Sequence, residues 1–212
     1  MADDYLGRKM EEYLQRPAQP KRTAAKLASL LRRNRSHRAY DNSFKVRHEQ
    51  LMKIVATATL CPSACNAQPL RFRLVEEAEA AVVLPHIRLG GGLPSMHFPP
   101  EGCEPNAYIV ICTTDPKWAY TDIDLGIVAQ SMLLQAVEIG LNGICIAAFD
   151  HAALKEALKL PYEPRLVLAI GRGIEQIELV EIGAEEPHGY YRTADNRHLV
   201  PKVRLEELLI EG

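Results

Sequence analysis

VRHEQLMKIVATATLCPSACNAQPLRFRLV, residues 46–75, holds three successive patterns whose order decides how the chain is built. Apolar residues at 51, 54, 55, 58 and 60 give the first part, 46–60, the spacing of a helix. RFRLV, 71–75, with Phe72, Leu74 and Val75 apolar, reads as a strand. Between them, CPSACNAQP gathers Pro62, Ser63, Asn66, Gln68 and Pro69. A loop at such a junction can offer backbone N–H groups and small hydroxyl and amide side chains to a ligand. The same residues also make a plain polar connector. The loop alone does not separate these readings, so the remainder of the chain must.

Downstream, the patterns alternate. AYIVICTT (107–114) reads as a buried strand, and TDIDLGIVAQSMLLQAVEIGLNG (121–143) as the strongest helix. Thr121 and Asp124 form an S/T-x-x-D start signal, and Asn142-Gly143 supplies a stop. The apolar residues of that helix lie on most of its sides, which predicts burial. GICIAAF (143–149) and RLVLAIGRG (165–173) read as strands, and Asp150 is placed to cap a helix over DHAALKEALKL. EEAEAAVVLPHI (76–87) fits a short helix, or a strand from Ala81. RLGGGLPSMHFPPEGCEP (88–105) carries four glycines and four prolines, so it predicts a long surface segment rather than one element. Upstream, 5–16 and 20–33 read as helices split by RPAQP, and the tail 190–212 ends in a short amphipathic segment. Alternating strands and helices after residue 46 favour α/β or α+β layering.

The 212 residues suffice for one large domain or two small ones; 47% are hydrophobic and 25% charged, the profile of a globular protein. No apolar run is long enough to span a bilayer, and MADDYLGRKM lacks the apolar core of a signal peptide, so a cytoplasmic protein without membrane or nucleic-acid partners is expected. The five cysteines have no second Cys or His pair at zinc-like spacing, and neither metal nor disulfides are expected; Cys112 and Cys145 fall in strand-like runs as ordinary buried thiols. The net charge is −2, yet residues 1–38 carry ten Lys and Arg against four Asp and Glu. Arg32, Arg33, Arg35 and Arg38, with Ser36 among them, could be a solvated helix end or a phosphate grip, because guanidinium groups match phosphate oxygens bidentately.

Conventional acid–base apparatus is absent from the pattern. Ser63 lacks a G-x-S-x-G elbow, and the seven histidines show no pairing logic with it. Neither a phosphate-binding P-loop nor G-x-G-x-x-G occurs; Gly90-Gly91-Gly92 precedes no clear helix. What remains is an anion grip near 35–38, an amide-rich loop at 62–68 and basic residues near the C-terminus. That combination suits a protein whose cofactor performs the chemistry.

At this point four segments together resemble the FMN-dependent nitroreductase family, in order from about Arg33 to Leu208. NRSHRAYD (34–41) resembles its Arg-Ser-x-Arg motif, with Asn34 where many members have Arg. PSACNAQPLRF (62–72) resembles PSxxNxQPW, with Leu70 where Trp is usual. DLGIVAQSMLLQAVEIGLNGICIAAFD (124–150) is similar to the central helix and next strand, and LVLAIGRG with KVRLEELL (202–209) to the closing strand and basic C-terminal motif. The resemblance implies an α+β three-layer sandwich: a mixed, mainly antiparallel sheet flanked by helices, in an intertwined homodimer with the central helix 122–141 at its interface. It divides the chain into a helical N-terminal extension, 1–33, and an FMN-binding domain, 34–212.

It further implies that Arg35, Ser36 and Arg38 hold the phosphate and pyrimidine edge of FMN, Arg38 facing N1 and O2, where negative charge develops on reduction. Pro62, Ser63, Ala64, Asn66 and Gln68 would touch the flavin from the other subunit. Ala147 and Ala148 would present backbone N–H groups to N5 and O4, and Lys202 and Arg204 would contact the phosphate. No side chain is then catalytic, flavin N5 being the reactive centre. The implied activity is ping-pong: NADH or NADPH reduces FMN, which reduces a nitroaromatic, a quinone or another electron-poor small molecule. Reductive dehalogenation or flavin fragmentation on the same fold, or non-catalytic flavin binding, are the alternatives.

Overall fold

A strand that is apolar on both sides needs cover on both sides, and AYIVICT obtains it. The computed structural model describes residues 26–94 and 96–210. In it β2 (Ala107–Thr113) is buried at every position. β2 lies between β1 (Leu70–Val75) and β4 (Glu163–Gly171), and β3 (Asn142–Ile146) pairs with the far side of β4. The sheet order is β1-β2-β4-β3, and every pairing is antiparallel.

Alternation along β2 and β4 divides their side chains between two faces. Ala107, Ile109, Ile111, Leu168 and Ile170 meet Leu51 and Ile54 of α2 (His48–Ala56) and Met132 and Ala136 of α4 (Thr121–Glu138). Tyr108, Val110, Val167 and Ala169 meet Val83 of α3 (Glu77–Val83) and Leu154 of α5 (His151–Ala157). Each such aliphatic side chain contributes about 1.5–3 kcal/mol on burial, so both helical layers are held by the same strands. This is the expected three-layer sandwich. The ambiguous 76–87 segment resolves as helix α3 plus a 3-10 turn, Leu84–His86. Asp150 caps α5 as expected, accepting from the Ala153 N–H at 3.0 Å.

Helix α4 departs from its sequence reading at both ends. It stops at Glu138, and Gly140, at φ +83°, makes the turn that a side chain would disfavour. Asn142 and Gly143, read as the stop, instead begin β3. At the start Tyr120 holds the capping position, and the Asp124 side chain is not a cap. Nor is α4 buried all round within one chain: Ile123 is 58% exposed and Ile127 36%, on a face shared with Gly126 and Gln130.

The predicted N-terminal helices survive in the described residues as α1 (Leu27–Arg33), which contributes no buried residue. Everything predicted for 1–25 lies outside the described residues. The tail forms a second sheet that the sequence reading missed. β5 (Ile177–Ile182) runs parallel to β7 (His198–Val203), and the two-residue β6 (Tyr191–Arg192) pairs antiparallel with the start of β7. A 3-10 turn, Leu205–Leu208, stands where the amphipathic end was expected. Among the described residues, no helix is long and apolar enough to cross a membrane.

Candidate functional site

Residues 34–40 leave α1 and run as an extended strap beside β3 and β4. Ser36 bridges to Gly143 in parallel fashion, the His37 N–H reaches the Gly143 carbonyl at 3.3 Å, and Tyr40 bridges to Gly173. Glycines permit this approach. A Cβ on Gly173 would lie 2.2 Å from His37 Nδ1, and one on Gly171 would lie 2.7 Å from the Tyr40 ring. The IGRG sequence at 170–173 is thus a seat for the strap, which is locked by the Tyr40 hydroxyl donating to the His37 carbonyl at 2.7 Å.

The strap forms one wall of a cleft of about 310 Å³. Asn34, Arg35, Ser36 and Arg38 face Lys202, Val200 and His198 of β7, while Gln130 of α4 and Cys145 of β3 contribute its floor. Among the described residues three cations, Arg35, Arg38 and Lys202, and no carboxylate line it, a lining whose charge suits an anion. The Arg35 guanidinium is anchored to the Leu31 carbonyl at 2.8 Å, while its buried Nε has no partner among the described residues. Burial pulls the Arg35 pKa down. Arg38 donates to the Ser36 carbonyl at 3.1 Å and lies 4.8 Å over the Tyr190 ring, its Nε likewise unpartnered among the described residues. The hydroxyl of Tyr190 accepts from the Gly92 N–H at 3.1 Å, so the glycine-rich segment reaches the cleft through that ring.

Behind the cleft sits Glu175, its side chain 2% exposed. It accepts from the backbone N–H of Arg38, from that of Ala39 at 3.2 Å and from the Arg192 guanidinium. His37 and His198 each bring a ring nitrogen to 3.9 and 3.8 Å from it. Burial first lowers the pKa of both rings; Arg38 and Arg192 lower His198 further, against the opposing pull of Glu175.

The 61–69 loop is built around Asp124, a buried residue of α4. The Ser63 hydroxyl donates to one carboxylate oxygen at 2.6 Å, and the Ala64 N–H donates to the other at 2.9 Å. Ser63 in turn accepts from the Gln68 N–H at 2.9 Å. This clamp holds Cys65, Asn66 and Gln68 at φ of 50°, 51° and 48°, a left-handed backbone that non-glycine residues adopt at a cost. Pro62, Ser63 and Gln68 line a second, more apolar cleft of about 300 Å³ with Leu70, Phe72 and Val128. Ala64 and Asn66 do not line it; Asn66 accepts from the Gln68 amide at 3.0 Å.

The two clefts lie near opposite flanks of α4, since Asp124 and Val128 are about half a helical revolution from Gln130 and Leu133 at roughly 100° per residue. Of the sequence-expected residues, Arg35, Ser36, Arg38 and Lys202 come together in the first cleft, and Pro62, Ser63 and Gln68 in the second. Ala147 and Ala148 are exposed beyond β3 and line neither; the Ala148 carbonyl accepts from the Arg88 N–H at 2.8 Å. Arg204 also lies outside both, paired with Glu207 at 2.7 Å. Cys145 corrects its expectation as a buried thiol, being exposed on the cleft, while Cys112 is buried as expected. Gln130, Tyr190 and His198 were not anticipated in the site. The alternation of His198, Val200 and Lys202 along one strand face is the signal that could have linked them.

Comparison with known sequences places this architecture. The sequence model of the Nitroreductase family matches residues 31–89 and 103–173, more than half of the chain, and the chain belongs to that family. The match omits most of the glycine- and proline-rich segment and stops before the second sheet. A provisionally named nitroreductase of Methanocaldococcus jannaschii is 34% identical over 61 residues, 29% of this chain and only 31% of its own length. A protein of Archaeoglobus fulgidus, provisionally named NADH dehydrogenase/NAD(P)H nitroreductase, is 25% identical over 82% of this chain and 93% of its own. Among solved structures, an FMN-dependent nitroreductase of Clostridium difficile R20291 superposes with TM-score 0.58 at 27% identity, covering 71% of this chain and 89% of that one. A nitroreductase family protein of Streptococcus pneumoniae shares the fold, with TM-score 0.59 at 18% identity over 76% of this chain and 96% of its own.

Proposed function

We propose that this chain is an FMN-dependent oxidoreductase that takes electrons from NADH or NADPH and passes them to nitroaromatics, quinones or related electron-poor acceptors. The observation that carries the reading is the first cleft, where Arg35, Arg38 and Lys202 converge with no carboxylate among the described lining residues, in a chain of the nitroreductase family. Bound FMN supplies a reversible carrier of one or two electrons, which this chain's own side chains do not. The protein's residues would do the remaining work. Arg35, Ser36 and Lys202 would hold the phosphate. Arg38, fixed against Tyr190 and backed by Glu175, would keep a permanent positive charge beside the flavin. Ala147 and Ala148 would offer backbone N–H groups to its ring, and Arg204 would reinforce the phosphate end. No side chain need form a bond to substrate, and donor and acceptor would use the open face in turn, a ping-pong order.

The second cleft is assigned to a second copy of the chain. The open Ile123–Ile127 face of α4, which lies between the helix flanks that carry the two clefts, supports a homodimer in which Pro62, Ser63, Ala64, Asn66 and Gln68 of one subunit close the flavin site of the other. In this division 34–212 is the FMN-binding domain and 1–33 an extension preceding it, the protein operating in the cytoplasm. The test is anaerobic addition of NADH or NADPH to the FMN-reconstituted protein. Bleaching of the yellow band, restored by a quinone or nitroaromatic, is expected; a bound flavin that neither nucleotide bleaches would refute the oxidoreductase reading.

A further inference from the structure

His198 is buried to 1% exposure on the wall of the cationic cleft, and among the described residues neither of its ring nitrogens has a hydrogen-bond partner. Glu175, at 3.8 Å, is within ion-pair range but beyond a good hydrogen bond. The groups that face the ring come from every neighbouring element. Glu175 precedes β5, Arg38 and His37 lie on the strap, Arg192 lies on β6, and Tyr190 sits with its ring centre 5.1 Å away. Lys202 shares its face of β7. Two idle polar atoms in so dry a place are costly unless something meets them, and an apolar side chain would fill the space without that cost.

We propose that His198 is a further binding residue of this cleft, becoming protonated when a phosphate-bearing ligand enters and then holding its charge between Glu175 and the ligand's phosphate. This rests on the FMN reading above. The proton comes from solvent and settles on a ring nitrogen; no other bond forms or breaks. The sign follows from the surroundings. Without ligand, burial and the Arg38 and Arg192 charges keep the ring neutral at neutral pH. An arriving anion offsets those cations and raises the ring's proton affinity. Between the two pKa values, binding therefore takes up a proton, and affinity falls as pH rises, by up to about tenfold per pH unit. His37, the other ring beside Glu175, does not line the cleft and should stay neutral.

Isothermal titration of FMN at pH 7.5, in two buffers of different ionisation heat, reads proton uptake directly. At that pH the phosphate of FMN, which titrates near pH 6, contributes little of its own. Uptake of roughly half a proton or more per FMN is expected for the wild-type protein and for His37→Gln, and none for His198→Gln. Riboflavin, which lacks the phosphate, should take up none whether or not it binds. Wild-type protein that binds FMN without proton uptake overturns the inference and leaves the flavin reading standing, with no variant needed. Equal uptake in His198→Gln, or with riboflavin, also overturns it. Failure to bind FMN in either buffer brings down the flavin reading itself.

Discussion

Replacing Asp124 with alanine probes the element that shapes the 61–69 loop. The carboxylate accepts from Ser63 at 2.6 Å and from the Ala64 N–H at 2.9 Å. Hydrogen bonds to a charged acceptor are worth about 1.5–3 kcal/mol each, and losing both leaves an amide N–H without its partner. Removing the carboxylate also removes its own burial cost, and the three left-handed residues at 65, 66 and 68 relax in part, recovering roughly 1 kcal/mol apiece. The balance is a loss of about 3 kcal/mol, or a fall in melting temperature of about 6–12 °C for a domain of this size. Asp124→Asn keeps an acceptor for Ala64 and should lose only about 1 kcal/mol. Denaturant unfolding at fixed protomer concentration measures both, and proteolysis within 61–69 should quicken in the alanine variant. An alanine variant within about 0.5 kcal/mol of wild type would refute the clamp.

Arg38→Ala should weaken FMN binding by about 10- to 150-fold, the value of one charge-assisted contact, and make bound flavin harder to reduce; unchanged affinity and potential, by fluorescence titration and redox titration, would contradict its placement. Gly173→Ala must push the His37 ring from a position 2.2 Å from the new Cβ, so a loss of about 1–3 kcal/mol in unfolding free energy is expected. Cys145 reaches the surface of the cleft, yet the protein packed around its thiol strips away bulk water and pushes it up to about 11, so at pH 8 only about one thiol in a thousand is ionised. Peptide mapping after brief alkylation should therefore find exposed Cys65 modified well before Cys145, with Cys145 catching up as pH rises; equal rates at pH 8 would contradict the shift.

The legible parts of the fold were those whose pattern is local. The apolar run of β2 announced a strand covered on both faces, and Asp150 announced its helix. Asp124 misled because its spacing from Thr121 copies a capping signal, while its carboxylate serves a loop some sixty residues upstream. The second sheet was missed for a related reason. Pro201 disqualifies HLVPKV as an interior strand, yet β6 pairs only with His198 and Leu199, so Pro201 lies where β7 has no partner on that side. Strap and β7 meet across more than 150 residues of chain, so no local pattern could place His198 beside Arg38; the recognisable motifs located Arg35, Ser36, Arg38 and Lys202, but not the buried Glu175 network behind them.

The central claim is that the Arg35, Arg38 and Lys202 cleft holds FMN. It is tested most directly by counting flavin after reconstitution and desalting, in the wild-type protein and in Arg35→Ala/Lys202→Ala. One FMN per chain in the wild type, lost in the folded double variant, is the predicted result. A wild-type chain that retains none, or a double variant that retains as much, contradicts it.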